Sequence, residues 1–159
     1  MSIFHLKDGI ISGMILGDGH LDKTRPVLSL VHSLKQLHYL EFKVGIACQL
    51  GFNGRKFRNT VKRTNLGLRF YCSGSITGSD ISKYYGYSLS DLLQNLNPLG
   101  LLLWWLDDGC LSVSRKTDNS VARFGYLNTQ GYGLEDNKLI SQVLLEKFGI
   151  ATTIHIDSK

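Results

Sequence analysis

The sequence predicts a mixed α/β fold of the α+β type, assembled from two pseudo-symmetric halves, and three observations carry that expectation. Two apolar runs, "GMILGDGHL" and "LLLWWLDDGCL", each end in an aspartate and a glycine, with Asp18-Gly19 standing 90 positions before Asp108-Gly109. Each run is followed by the same order of patterns: two strands, then a helix closed by a glycine, Gly51 in one half and Gly149 in the other. Finally, 159 residues that are 43% hydrophobic suffice for one substantial core or two small halves sharing one.

The elements follow in chain order. "GIISGMIL" forms a compact helix, with Gly13 and Gly17 four residues apart on one face. Glycine inside a helix costs about 1 kcal/mol relative to alanine, so two on one face point to the close approach of another backbone. "PVLSLVHS" reads as a strand, and "LKQLHYLEFKVGIACQLGF" as an amphipathic helix whose core stripe holds Leu37, Leu40, Val44 and Cys48. "RKFRNTVK" and "LGLRFYCS" read as a hairpin, with Leu68, Phe70 and Cys72 on one face of the second strand and Arg69, Tyr71 and Ser73 on the other. A short helix, roughly Leu89 to Asn95, leads to Pro98, which suits the first turn of the apolar helix that follows. A polar connection "SRKTDNS", a strand in "VARFGYLNTQ" and a helix in "EDNKLISQVLLEKFGI" complete the second half. The helix-ending glycines lie 98 positions apart, so the second hairpin region is longer by about eight residues.

Charge is unevenly spread. The first 79 residues hold eleven Lys/Arg against four Asp/Glu, the rest seven against nine, for a net +5. The acid-free segment "GRKFRNTVKRTNLGLR" suits a polyanion such as nucleic acid, although a solvated hairpin has the same composition. Three cysteines without C-x-x-C spacing suggest neither a disulfide framework nor a cysteine zinc site, and the N-terminus has no signal-peptide layout. Five histidines without paired ligand spacing give no histidine–metal nuclease motif, and no glycine segment carries the Gly-Lys-Ser/Thr ending of an NTPase loop. The expectation is an intracellular protein, in a bacterial or phage cytoplasm or an organelle, that does not span a membrane.

At the two Asp-Gly motifs the chain resembles the LAGLIDADG homing endonucleases in their single-chain, two-motif form. The first copy is "ISGMILGDG" (Ile11 to Gly19), which keeps both helix glycines and the terminal acid; the second is "LLLWWLDDG" (Leu101 to Gly109), with Leu103 and Asp107 in the glycine and alanine places. The resemblance implies two αββαββα repeats, 1–97 and 98–159, forming one compact DNA-binding unit with the motif helices side by side and antiparallel sheets along the DNA. The second repeat is expected to be short of a final strand and helix, so that a second chain or peptide could complete it. The implied activity is a site-specific double-strand break leaving short 3′ overhangs, as in intron homing, with Mg²⁺ (or Mn²⁺) as cofactor and double-stranded DNA as partner. Asp18 and Asp108 are the implied catalytic acids and metal ligands, with the backbone carbonyls of Gly17 and Asp107 beside them.

The residues lead to similar chemistry independently. A carboxylate at a helix C-terminus faces the negative end of the dipole and is disfavoured unless a cation is near. Two such carboxylates beside phosphates suit a hard, hydrated ion that activates water and stabilises a leaving oxygen. An Asp-Gly helix terminator is the bland alternative for either copy alone. Asp107 reads as a local helix-end or outer residue of the site, Trp104 and Trp105 as core, and His20 as a turn residue next to the first Asp-Gly.

DNA reading falls to strand and turn residues, where Arg and Lys can read guanine and Asn adenine. The candidates are Lys23, Arg25, Arg55, Arg58, Lys62, Arg63, Arg69, Tyr71, Arg115, Lys116, Asn119 and Arg123. Family members place a basic residue near each acid, yet no lysine stands in a matching context before the second motif. The alternative function is therefore a catalytically inactive nucleic-acid-binding protein on the same scaffold, an intron maturase or DNA-binding regulator. A small-molecule or protein-interaction module is a third class, which would show no salt-sensitive binding to nucleic acid.

Overall fold

The computed structural model describes residues 3–64, 67–115 and 120–155. The first half runs α1 (Ile3–Leu16), β1 (Gly19–Asp22), β2 (Val27–Ser33), α2 (Leu37–Gln49), β3 (Asn53–Thr64), β4 (Gly67–Thr77) and α3 (Leu89–Asn95), with a 3-10 segment at Ser79–Gly86 before α3. The second runs α4 (Pro98–Asp108), β5 (Gly109–Arg115), β6 (Val121–Leu127) and α5 (Leu134–Phe148). Antiparallel strands form a four-stranded sheet ordered β1-β2-β4-β3 and a separate pair β5-β6.

α1 and α4 pack against each other at the centre because their glycines allow it. A Cβ on Gly13 would fall inside the Gly100 carbonyl, and one on Gly100 inside the Gly9 carbonyl, so the two backbones touch directly. The backbone approach expected of Gly13 and Gly17 holds for Gly13 alone, with Gly9 of α1 and Gly100 of α4 joining it; Gly17 lies just past α1 and faces the Asp107 side chain instead. Asn97 fixes the register: its side chain caps α4 by accepting from Gly100 N–H at 2.8 Å while its amide donates to the Leu6 carbonyl of α1 at 2.9 Å. Asp18 and Asp108 are held at the same end of this pair by the turns into β1 and β5.

Two cores flank the pair. Leu28 and Leu30 of β2, Cys72 and Ile76 of β4, and Leu40, Val44 and Ala47 of α2 bury the first against Ile10, Ile11 and Met14. Leu16, Leu93, Leu96, Trp104, Ile140, Val143 and Leu144 form the second, so α5 packs on α3 and α4. The buried stripe of α2 is Leu40, Lys43, Val44 and Ala47; Cys48, expected in it, is exposed. The i, i+3, i+4, i+7 spacing places Lys43 in the stripe, and a carboxylate across the interface compensates its charge. Phe70 is exposed although it shares the Cys72 face, because β3 and β4 run on beyond the core.

α2 is followed by Gly51 and α5 by Gly149, both in the left-handed region (φ 85° and 68°), which favours glycine as a helix terminator. Gly19 and Gly109 have a different cause. A Cβ on either would collide with a carbonyl of the preceding helix, Met14 or Trp105, so glycine lets the strand leave the helix end at close quarters.

Candidate metal centre and nucleic-acid interface

Asp18 follows the last turn of α1 and is exposed, while Asp108 closes α4 and is half-buried. Burial, and then the Asp18 charge, raise the Asp108 carboxyl above the ordinary carboxylate range, and the Trp104 indole N–H donating to Asp108 Oδ2 at 3.1 Å opposes the rise. The ionised form of Asp108 is therefore disfavoured, the condition a bound cation would relieve. By donor chemistry the pair fits a hard dication that takes oxygen ligands.

Asp107 occupies a different place from its neighbour. Its carboxylate turns into the first half, fully buried, and meets the fully buried ammonium of Lys43 at 2.7 and 3.0 Å. Its Oδ1 also accepts the Tyr39 hydroxyl at 2.8 Å, and its Oδ2 the Asp18 backbone N–H at 3.0 Å. Gly17 makes this possible, since a Cβ there would overlap Asp107 Oδ2. Asp107 is thus a tether from α4 to both α1 and α2. The Tyr39 hydroxyl is pushed far above its usual range by burial and then by the charge of Asp107.

His32, buried on β2, places Nδ1 3.3 Å from Asp18 Oδ2 and Nε2 3.4 Å from Lys43 Nζ, with its ring edge-on to Tyr39 at 5.2 Å between centroids. Asp18, His32 and Asp107 bring one ligand atom each within 4.8 Å of one another. A metal ion seated among these three would displace the Lys43 ammonium, the cation already balancing Asp107, so this cluster is an internal ionic lock beside the acid pair. Sequence reading found Asp18 and Asp108 but missed His32, Lys43 and Tyr39. The only signal was a lysine on an otherwise apolar helix stripe.

The DNA candidates lie largely on the first sheet. Arg58 pairs with Ser73, Lys62 with Arg69 and Thr60 with Tyr71 in the β3–β4 ladder, while Arg63 pairs with Leu68 in the alternate phase. Arg55 and Arg69 are exposed and Tyr71 is half-buried; the side chains of Arg58, Lys62 and Arg63 lie outside the described part. In the β1–β2 turn Lys23 is exposed, and Arg25 is held by Asp22 at 2.5 and 2.7 Å. Asp22 is held well below the usual carboxylate range, chiefly by accepting from Thr24 and then from Arg25. Arg115 and Arg123 are exposed on β5 and β6, Lys116 and Asn119 lie outside the described residues, and His20 is exposed on β1. Trp104 is buried in the second core as expected, although it also serves Asp108, whereas Trp105, expected in the core, is half-buried outside both core clusters, against Gly125 of β6. No helix among the described residues is long and apolar enough to cross a membrane.

The chain is similar to several known proteins. A family model described as the LAGLIDADG DNA endonuclease family matches residues 8–159. The solved structure of the homing endonuclease I-WcaI bound to its DNA recognition sequence superposes with a TM-score of 0.74 at 21% identity, over 99% of this chain and 74% of that one. A curated protein RecA from Mycobacterium shimoidei is 27% identical over 112 residues, 65% of this chain, and the match spans about a quarter of that protein's length, 26%.

Proposed function

This chain belongs to the LAGLIDADG DNA endonuclease family, and from that premise we propose that it is a site-specific homing endonuclease, a phosphodiester hydrolase making a metal-dependent double-strand break in a long DNA target. The supporting observation is that α1 and α4 pack side by side with Asp18 and Asp108 at the same end, the Asp18 backbone N–H bonding to Asp107, the neighbour of Asp108. Residues 1–97 and 98–159 are read as the two repeats of one DNA-binding unit.

The chain's residues divide the work. Asp18 and Asp108 would hold Mg²⁺ or Mn²⁺, with the Gly17 and Asp107 carbonyls as further oxygen donors. A bound ion supplies Lewis acidity at the phosphate and lowers the pKa of water. Trp104 orients the Asp108 carboxylate through its indole N–H. Basic residues on the first sheet hold the duplex by its phosphates and fix its register, while neighbouring polar side chains read base edges. In each strand a water oxygen bonds to phosphorus as the bond to a sugar oxygen breaks. The setting is intron homing, and the partner is double-stranded DNA. A second chain or peptide is a further partner, lying along the edge of β6, which has only β5 beside it among the described residues.

Selection of cleaved sites from a random or genomic DNA library with Mg²⁺ tests the reading. Cut sites are expected from the wild-type protein, and both Asp18→Asn and Asp108→Asn should lose double-strand cleavage while keeping most of their DNA affinity. Wild-type-like cutting by both variants would falsify the assignment. Salt-sensitive DNA binding without any Mg²⁺-dependent cleavage by the wild-type protein would instead support the inactive maturase or regulator reading.

A further inference from the structure

Lys43 and His32 form a chain of contacts that ends on Asp18. The Lys43 ammonium carries hydrogens and no lone pair, so the His32 Nε2 that faces it at 3.4 Å can only accept. A neutral imidazole accepting at Nε2 carries its proton on Nδ1, the nitrogen that lies 3.3 Å from Asp18 Oδ2. The polarity of the contacts is therefore fixed along the chain: Lys43 donates to His32, and the protonated Nδ1 side of His32 faces the Asp18 carboxylate as a close electrostatic contact. The same ammonium grips Asp107, whose Oδ2 accepts the Asp18 backbone N–H. Asp18 is thus held twice from one buried cation, by its side chain through His32 and by its backbone through Asp107.

The second acid has a different arrangement. Asp108 accepts from Trp104, four residues back on its own helix, and the buried positions of α5 are Ile140, Val143 and Leu144. No charged side chain of α5 takes the part that Lys43 plays on α2.

We infer that Lys43 is a positioning residue which, acting through His32 and Asp107, orients the Asp18 carboxylate for the metal ion, and that His32 is a hydrogen-bond donor to this ligand rather than a ligand itself. The inference rests on the reading of Asp18 as a metal ligand. Partners of this kind orient a ligand and raise its basicity, and their loss typically weakens metal binding by about 10- to 100-fold.

Two measurements on the full chain test it, neither requiring cleavage. In the metal-free protein, the ¹⁵N spectrum of the His32 ring should show a neutral imidazole protonated at Nδ1; protonation at Nε2, or at both nitrogens, overturns the inference. Mn²⁺ alone, titrated by electron paramagnetic resonance, is then compared across variants whose folding is checked by circular dichroism. His32→Asn, which keeps a donor near the Nδ1 position, should stay within about threefold of wild type, whereas His32→Leu and the neutral pair Lys43→Met/Asp107→Ala should bind about tenfold more weakly or worse. Unchanged affinity in His32→Leu, with affinity lost in Asp18→Asn, overturns the positioning role alone. Wild-type affinity in Asp18→Asn overturns the ligand assignment beneath it, and the inference falls with that assignment.

Discussion

In the first half β4 lies along β2 and α2 closes over the sheet, whereas in the second half, among the described residues, β6 has only β5 beside it and α5 packs on α3. The cost of the difference is visible on the second strand pair: Leu111 is 67% exposed although Leu21, likewise two residues past its motif glycine, is half-buried, and Gly125 is exposed and Leu127 half-buried where the same register on the first sheet holds the buried Leu28 and Leu30. The acids differ in parallel. Asp18 is wired to α2 and β2 through Lys43 and His32, while the Asp108 carboxylate accepts only from Trp104 of its own helix among the hydrogen bonds of the described residues, and its backbone carbonyl accepts from Asn128 beyond β6. One plan, a motif helix turning into a hairpin, therefore gives two different carboxylate environments according to what the following helix can cover.

The largest expected effect falls on the lock between the halves. Lys43→Met leaves the Asp107 carboxylate buried without its cation and should cost about 3–5 kcal/mol of stability, read as a fall in denaturant midpoint. Adding Asp107→Ala removes the orphaned charge and should recover part of that loss, while removing the acceptor for Tyr39 and for the Asp18 N–H. A double variant as unstable as the sum of the two singles would mean that the residues do not act as a pair.

The basic hairpin gives the next contrast. Replacing Arg55, Arg58, Lys62 and Arg63 by alanine should weaken duplex binding and flatten the plot of log affinity against log salt by up to roughly 0.9 for each phosphate no longer neutralised. The same treatment of Arg115 and Arg123 takes away only those two cations and should flatten it less. Equal slopes for the two sets would break the expectation that the first sheet carries more of the electrostatic grip.

Exchange of backbone amides should separate the strand pairs more finely. Among the described residues β6 has only β5 beside it, and Leu111, Val113, Val121 and Phe124 are exposed, so the β5–β6 amides should exchange at least about tenfold faster than those of β2 and β4, which lie inside the four-stranded sheet. A chain or peptide that adds a strand to β6 should slow β5–β6 and leave β2–β4 unchanged. Equal protection in both pairs, together with a concentration-independent monomer by sedimentation, would reject the proposed second partner.

Most of the helices and the hairpin of the first half were legible from the sequence because each rests on a local signal: the alternation through β2, the glycines after α2 and α5, the proline that opens α4. β1, only four residues long and starting at the glycine of the first Asp-Gly, and the 3-10 segment at Ser79–Gly86 carry no such period. At the site, Asp18 and Asp108 were legible because the motif repeats. Lys43 was not, since its partner Asp107 is 64 residues away and pairing at that distance leaves no mark on spacing. His32 was hidden similarly: it alternates correctly as an inward strand residue, and only the packed fold shows that it reaches Asp18.

The smallest effect concerns Asp108 and has the opposite sign to the others. Burial, and then the Asp18 charge, raise its carboxyl above the range it has in the unfolded chain. A carboxyl raised on folding stabilises the fold most fully below its unfolded pKa, and that contribution is lost as pH rises through the folded value. At pH 7 without metal, ionised Asp108 should therefore oppose folding, and Asp108→Asn, whose side-chain oxygen can still accept from Trp104, should be slightly more stable than wild type. Because solvent screens a half-buried group, the gain should be under about 1 kcal/mol. It should vanish near pH 3, where both proteins are neutral at this position, and it should shrink or reverse on adding Mg²⁺, which binds the wild-type pair more tightly. Thermal melts of both proteins at the two pH values, with and without Mg²⁺, read all three signs. A variant less stable than wild type at pH 7 in the absence of metal would mean that the Asp108 carboxylate is a net stabiliser of the helix end, and that the two halves differ less in their acids than in their sheets.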